Sequence, residues 1–356
     1  MPPTGPSQVM TLAIVSTVRD AGKVLDSFIR YHVAIGFDRL FIIFDDPCDP
    51  MAESARRYPQ VTALTNDDGL RRRWKTRRSY ARVGPFIDDH VMSRQILNAE
   101  VAIEMALEMG LEWILHIDVD ELFHSQEAPK KHFESLAERG IDFVTYPNHE
   151  AVPEAFKIDD YFKTVTLFNK NAYTLEAGQA RGRRRFLYYG NGKSAARLCR
   201  NLMAKSVHEF MLSRERSWAY RNFLHLFLPY RKIPLVKPRV SFGGSWRKRG
   251  SGGSRAASQD VHKLPVILHY ACCGFQHFWQ KYKTLGSFPD RWFGRVELSR
   301  QVPFHVQARN VVMTQGREAA RKLYQEVVMA GGEQETRDRL EAGTFCRIVE
   351  PSRLLA

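Results

Sequence analysis

Three carboxylates in four positions interrupt the run Trp113-Ile114-Leu115-His116-Ile117-Asp118-Val119-Asp120-Glu121-Leu122-Phe123. An apolar stretch of strand character stops there abruptly. In an extended strand alternate residues share a face, so Asp118 and Asp120 are expected to point the same way and Glu121 the other. Paired acids at the end of a core strand suit a divalent cation, which takes oxygen ligands and also grips phosphate oxygens. The pattern predicts a metal–diphosphate site, with Glu121 supporting the turn. Acids that favour a helix N-terminus are the plain alternative.

Two other polar clusters follow apolar runs. Ser16-Thr17-Val18-Arg19-Asp20-Ala21-Gly22 comes after the first. Asp20 could accept from a base or a ribose hydroxyl and Arg19 could pair with phosphate, or Asp20 could simply cap the next helix. Asp45-Asp46 comes after the second run, where an acid binds ribose in dinucleotide folds. The sequence contains neither GxGxxG after the first strand nor GxxxxGK[ST], which disfavours a nicotinamide cofactor and a P-loop. With those two loops absent, a metal is the favoured means of handling phosphates.

The elements that must position these residues alternate. Strands are predicted at 11–18, 40–44, 61–65, 113–119 and 142–146, and helices at 24–35, 51–58, 88–109 and 129–139. Strand–helix alternation means a mostly parallel sheet covered by helices, with ligands at the carboxyl ends of its strands. The acids stand at those ends. After residue 150 the alternation fades. A short strand within 262–270, a helix at 275–286 and a helix pair over 307–328 are expected. The segment 243–258 is Gly/Ser/Arg-rich and reads as a mobile loop.

The chain has 356 residues and 44% hydrophobic residues, enough for a sizeable core. Lys and Arg outnumber Asp and Glu by 53 to 39, giving +14, which favours anionic partners without naming one. The run 70–78, with Trp74 among its arginines and Tyr80 just beyond, suits single-stranded nucleic acid, phosphate-rich acceptors or only a solvated face. The segment 218–237 alternates aromatics with basic residues and suits either a membrane interface or a core. Five cysteines without CxxC, two of them adjacent, point to a reducing compartment. The start of the chain is not expected to be a signal peptide, and no apolar stretch approaches the roughly 20 residues of a membrane span. A cytoplasmic location is expected, with peripheral membrane contact an option.

With these residues laid out, the chain resembles glycosyltransferases of the GT-A fold, and most of all family 92 with its family 2-like relatives. The resemblance is carried by Val15–Asp20, by Phe28-Ile29-Arg30-Tyr31-His32 with Gly36-Phe37-Asp38, and by Phe41–Asp46. It continues through Arg94-Gln95 with Asn98, and Trp113–Phe123. Gly192-Lys193-Ser194 with His208, and His269-Tyr270 with Phe278 and Lys281, extend it. Arg19-Asp20 departs from the family's Lys-Asn-Glu, and Tyr146–Glu150 from its Phe-Gly-rich turn.

The resemblance implies an α/β, Rossmann-like GT-A fold. Residues 1–150 would form the nucleotide-sugar half, 151–290 a less regular acceptor half, and 291–356 a helical extension. It implies transfer of a sugar, with inversion, from a UDP-sugar to a hydroxyl of a glycan or lipid-linked acceptor, as in polysaccharide biosynthesis. Asp118, Asp120 and His269 would hold Mn²⁺ or Mg²⁺, with His208 an alternative to His269. Arg19, Asp20, Asp45, Arg94 and Lys193 would bind the donor. Inversion needs a carboxylate base at the acceptor hydroxyl. Glu150 is the candidate, with Glu154, Glu209 and His149 as alternatives. No nucleic acid is expected as a partner on this reading. A metal-dependent phosphoryl hydrolase and a basic nucleic-acid-binding module are the competing classes.

Overall fold

The computed structural model describes residues 10–171, 174–175, 191–213, 240–242, 245–246, 265–293 and 296–356. The segment 218–237 and most of the Gly/Ser/Arg-rich stretch 243–258 lie outside the described residues.

The first half follows the predicted alternation. The chain runs β1 (Leu12–Val18), α1 (Val24–Ala34), β2 (Arg39–Phe44), α2 (Met51–Arg56), β3 (Val61–Thr65) and α3 (Asp68–Lys75). A short turn, α4 (Tyr80–Val83), precedes α5 (Val91–Glu108), β4 (Trp113–His116) and β5 (Glu121–His124). All seven residues of β1 are buried, as a strand covered on both faces requires. After β5 come α6 (Pro129–Glu138), β6 (Phe143–Tyr146), β7 (Asn148–Ala151), α7 (Tyr161–Thr164) and β8 (Leu167–Asn169). Then follow β9 (Lys193–Arg197), β10 (Leu202–Ala204), β11 (Phe210–Leu212), β12 (Val240–Phe242), β13 (Ser245–Trp246), β14 (Val266–His269) and α8 (Phe275–Leu285).

The fold is α/β with a mostly parallel main sheet of order β13-β12-β6-β9-β4-β1-β2-β3. Strands β4, β1, β2 and β3 are parallel, and β9 runs antiparallel between β4 and β6. A second sheet has β8, β7, β14 and β5 in that order, edged by the strand Phe345–Arg347.

Two short connections carry the chain from the main sheet to the second. The first crossing is the turn between β4 and β5, which holds Asp118 and Asp120. The expected strand over 113–119 therefore stops at His116, and the acids project from a turn rather than from alternate strand positions. The second crossing is the single residue Pro147 between β6 and β7. Both crossings deliver their residues to β14, which lies between β5 and β7.

The tail over 296–356 is mainly helical and carries one further strand of the second sheet. Helices Pro303–Asn310 and Gly316–Leu323 pack their apolar residues on α8. The strand Phe345–Arg347 pairs antiparallel with β8, and Leu355 is fully buried in the main core. Among the described residues no helix is long and apolar enough to cross a membrane. All five cysteines are unpaired thiols.

The basic run is a brace. Trp74 is fully buried, and its indole N–H donates to Asn98 Oδ1 at 2.9 Å, so it offers no face to a nucleic-acid base. Arg73 and Arg77 both pair with Glu104, at 2.7 and 2.6 Å.

Candidate active site

One helix face ties together the carboxyl ends of three parallel strands. On α5, Arg94 makes a bidentate pair with Asp45 at the end of β2, at 2.5 and 2.8 Å. Gln95 donates to Asp118 Oδ1, beyond β4, at 2.7 Å. Asn98 donates to the Thr17 hydroxyl of β1 at 3.0 Å. Residues at i and i+4 share a helix face, so Arg94 and Asn98 reach neighbouring strands and Gln95 reaches the one beside them. Asp45 is thus fully engaged by Arg94. Arg19, half exposed, stands 3.9 Å from the same carboxylate. Asp20 has φ of 53°, a left-handed conformation that Asp tolerates. Its carboxylate accepts from the Thr284 hydroxyl of α8 at 2.9 Å.

The acidic turn is closed from both sides. Glu121 N–H donates to the Asp118 carbonyl at 3.1 Å, and Asp118 N–H donates to Glu121 Oε2 at 2.7 Å. Glu121 thus supports the turn, as its position suggested. It is completely buried, and burial with two acidic neighbours pushes its carboxyl up to about 7 against the pull of Lys193. Lys193, at the start of β9, lies 2.6 Å from Asp118 Oδ2 and 3.5 Å from Glu121, with no accessible side-chain surface. Gly192 makes this approach feasible. At φ of 70° it passes so close to Tyr146 that a Cβ would stand 2.1 Å from its carbonyl oxygen. Burial alone would raise the Asp118 carboxyl, but the adjacent ammonium outweighs it and holds it well below the usual range.

Asp120 faces the second sheet. Lys281 of α8 lies 2.8 Å from Asp120 Oδ2, and His269 Nε2 lies 3.9 Å from the same oxygen. His269 is in register with Glu121 on one side and Glu150 on the other. Register neighbours share a sheet face, so the Glu150 carboxylate meets His269 Nδ1 at 3.0 Å. Burial would lower the His269 pKa, yet Glu150 and Asp120 together raise it.

The placement bears on each expected residue. Asp120 and His269 face each other; Asp118 stands on the same turn but is held by Gln95 and Lys193. Lys193 has no accessible side-chain surface, and its ammonium lies against Asp118 and Glu121. Glu150 is only 1% exposed and faces His269. Glu154 is paired with Arg347, and Glu209 with Lys205. His149 is buried and pushed down to about 4 by burial. His208, pushed down to about 3 by burial and by Lys193, bonds through Nδ1 to the Gly192 carbonyl. Gln95 and Lys281 entered the sequence reading only within the family resemblance, without a role, and Thr284 did not enter it. For Gln95 a signal existed: three polar residues within five positions on a mostly buried helix.

The donor set can be tested against a divalent cation. Among the described residues no three His, Cys, Asp or Glu side chains form a ready-made metal cage. Two side chains with ligand atoms, Asp120 and His269, do face each other. Ligand bonds of about 2.1 Å let one ion span up to about 4.2 Å between donors, and 3.9 Å falls within that reach. With Nδ1 turned to Glu150, His269 presents Nε2, the carboxylate–histidine arrangement that orients metal-bound imidazoles. Two protein ligands, completed by water and substrate phosphates, are what such ions commonly take. The residues fit.

No protein-family model matches the chain. It is 35% identical over 129 residues to the Arabidopsis thaliana protein "Glycosyltransferase-like At3g57200", and 34% identical over 129 residues to "Glycosyltransferase-like At2g41451" of the same plant. Each match takes in 33% of this chain, and the chain spans only 25% and 29% of those relatives. Among solved structures, core-mannan synthase A of Aspergillus fumigatus in an Mn/GDP form is 12% identical, over 43% of this chain and 46% of that one, with a TM-score of 0.27. Mouse xyloside xylosyltransferase 1 is 13% identical, over 38% and 51%, with a TM-score of 0.25. Likenesses at such scores carry no argument here.

Proposed function

We propose that this chain is a glycosyltransferase that moves a sugar from a nucleotide-sugar donor to a hydroxyl of an acceptor, with a divalent cation between Asp120 and His269. The observation that carries the reading is the His269 imidazole, turned by Glu150 so that Nε2 faces Asp120. The likeness to two glycosyltransferase-like proteins supports the reaction class. The cation, Mn²⁺ or Mg²⁺, would neutralise the leaving diphosphate.

The chain's own residues divide the work. Arg94 holds Asp45, Gln95 holds Asp118, and Asn98 holds Thr17, so three strand ends form one rigid wall for the nucleoside. Asp20 and Arg19, the more exposed members, are the contacts proposed for base, ribose or phosphate. Glu150 orients His269. Lys193 and Glu121 fix the turn so that Asp120 stands at its outer corner. A UDP-sugar donor and transfer with inversion, both implied by the family 92 resemblance, belong to the proposal; the base would then be a side chain other than Glu150.

A panel of nucleotide sugars with Mn²⁺, following release of nucleoside diphosphate, tests it. Turnover with a UDP-sugar is expected, abolished by chelator and cut on the order of 10³-fold or more in Asp120→Asn. Undiminished turnover in that variant would sink the cation site. The anomeric configuration of the product, read by NMR, tests inversion.

A further inference from the structure

Lys281 occupies the position of a cation. Its ammonium donates to Asp120 Oδ2 at 2.8 Å and to the Ala271 carbonyl at 3.2 Å. That Oδ2 is the oxygen facing His269 Nε2. An ammonium and a doubly charged ion sharing one partly buried oxygen repel each other at close range. The two therefore compete for Asp120.

Helix α8 itself is anchored. Phe278 and Tyr282 are fully buried, and Thr284, on the same face one turn beyond Lys281, donates to Asp20. The lysine side chain is not enclosed: it is 25% exposed on a four-carbon stem, whereas Lys193 has no surface at all. Rotamer changes can carry the ammonium off Asp120 without moving the helix. Helix α8 lies between the Asp20 loop and the Asp120 turn, the two places proposed to hold opposite ends of the donor.

We infer that Lys281 is a donor-binding residue that exchanges partners. It neutralises Asp120 while the cation is absent, and it turns to the diphosphate oxygens once the cation takes Asp120. The inference rests on the reading above, that a cation binds at Asp120 and His269 and a nucleoside diphosphate completes its shell. The exchange keeps charge paired throughout. The diphosphate brings negative oxygens to the place where the ammonium is released, so no buried charge is stranded.

The test uses the full chain, Mn²⁺ alone followed by EPR, and UDP, with GDP in parallel, titrated at saturating Mn²⁺. Lys281→Met keeps the stem and removes the charge. Mn²⁺ alone is expected to bind about tenfold tighter, because the competitor for Asp120 is gone. UDP is expected to bind about tenfold weaker, because a charge-assisted contact is missing. Lys281→Arg should restore UDP binding. A merely structural lysine would move both affinities the same way or neither, and either result overturns the inference. If the unaltered chain binds neither Mn²⁺ nor a nucleoside diphosphate, the donor-site reading falls and the inference with it. If it binds both and the Met variant fails to split them, only the inference falls. Thermal unfolding checks each variant, and Lys281→Gln carries the same expectation should Lys281→Met not fold.

Discussion

Asp118 and Asp120 stand two residues apart on one turn, yet each faces a different sheet. Asp118 looks back to the main sheet, where α5 supplies Gln95 and β9 supplies a lysine with no accessible surface. Asp120 looks to the second sheet, where His269 and a partly exposed lysine share its Oδ2. Burial would raise both carboxyls, yet both are held below their ordinary range, Asp118 chiefly by Lys193 and Asp120 by Lys281 together with His269. The difference lies in whether the ammonium can leave. An enclosed lysine makes a structural pair; an exposed one makes a pair that a ligand can open.

That contrast can be broken by substitution. The largest effect is expected at the open pair: Asp120→Asn should cost on the order of 10³-fold in turnover while the folded state persists. At the closed pair the effect should fall on stability instead. Lys193→Met takes the cation from the fully buried Glu121 and from the partly exposed Asp118 and should cost about 3 kcal/mol in urea unfolding, against about 1 kcal/mol or less for Lys281→Met. Equal losses would erase the distinction. Glu150→Gln keeps a partner for His269 and removes its charge. Mn²⁺ affinity should fall roughly 10- to 100-fold, as for partners that orient a metal-bound imidazole, with little change in unfolding midpoint. The smallest change is expected for Thr284→Val, which releases the exposed Asp20 carboxylate at about 0.5 kcal/mol; its effect should appear mainly in nucleotide affinity.

Much of the nucleotide half was legible beforehand. Strand β3 matches its expected bounds, and α5 begins three residues later than expected and ends one earlier. Apolar periodicity is a local property, and Gly36, Gly110 and Gly140 punctuate it, each with positive φ. The second half was harder. Strands of three or four residues leave almost no periodicity, and the tail's strand Phe345–Arg347 is recognisable only once β8 lies beside it. The basic run shows the same limit. Its arginines could not be told from a nucleic-acid surface until Glu104 and Asn98 of α5 were seen to engage Arg73, Arg77 and Trp74.

The sequence by itself determined that acids crowd the end of an apolar strand, that no glycine-rich phosphate loop accompanies them, and that strands and helices alternate ahead of them. Only the tertiary structure decided which acid does what. Lys193 lies 75 positions from Asp118, Lys281 lies 161 from Asp120, and Glu150 lies 119 from His269. Strand register and a returning helix create those pairs, and no local pattern encodes a partner so distant. The role of each carboxylate follows from the partner that reaches it and from whether that partner is enclosed.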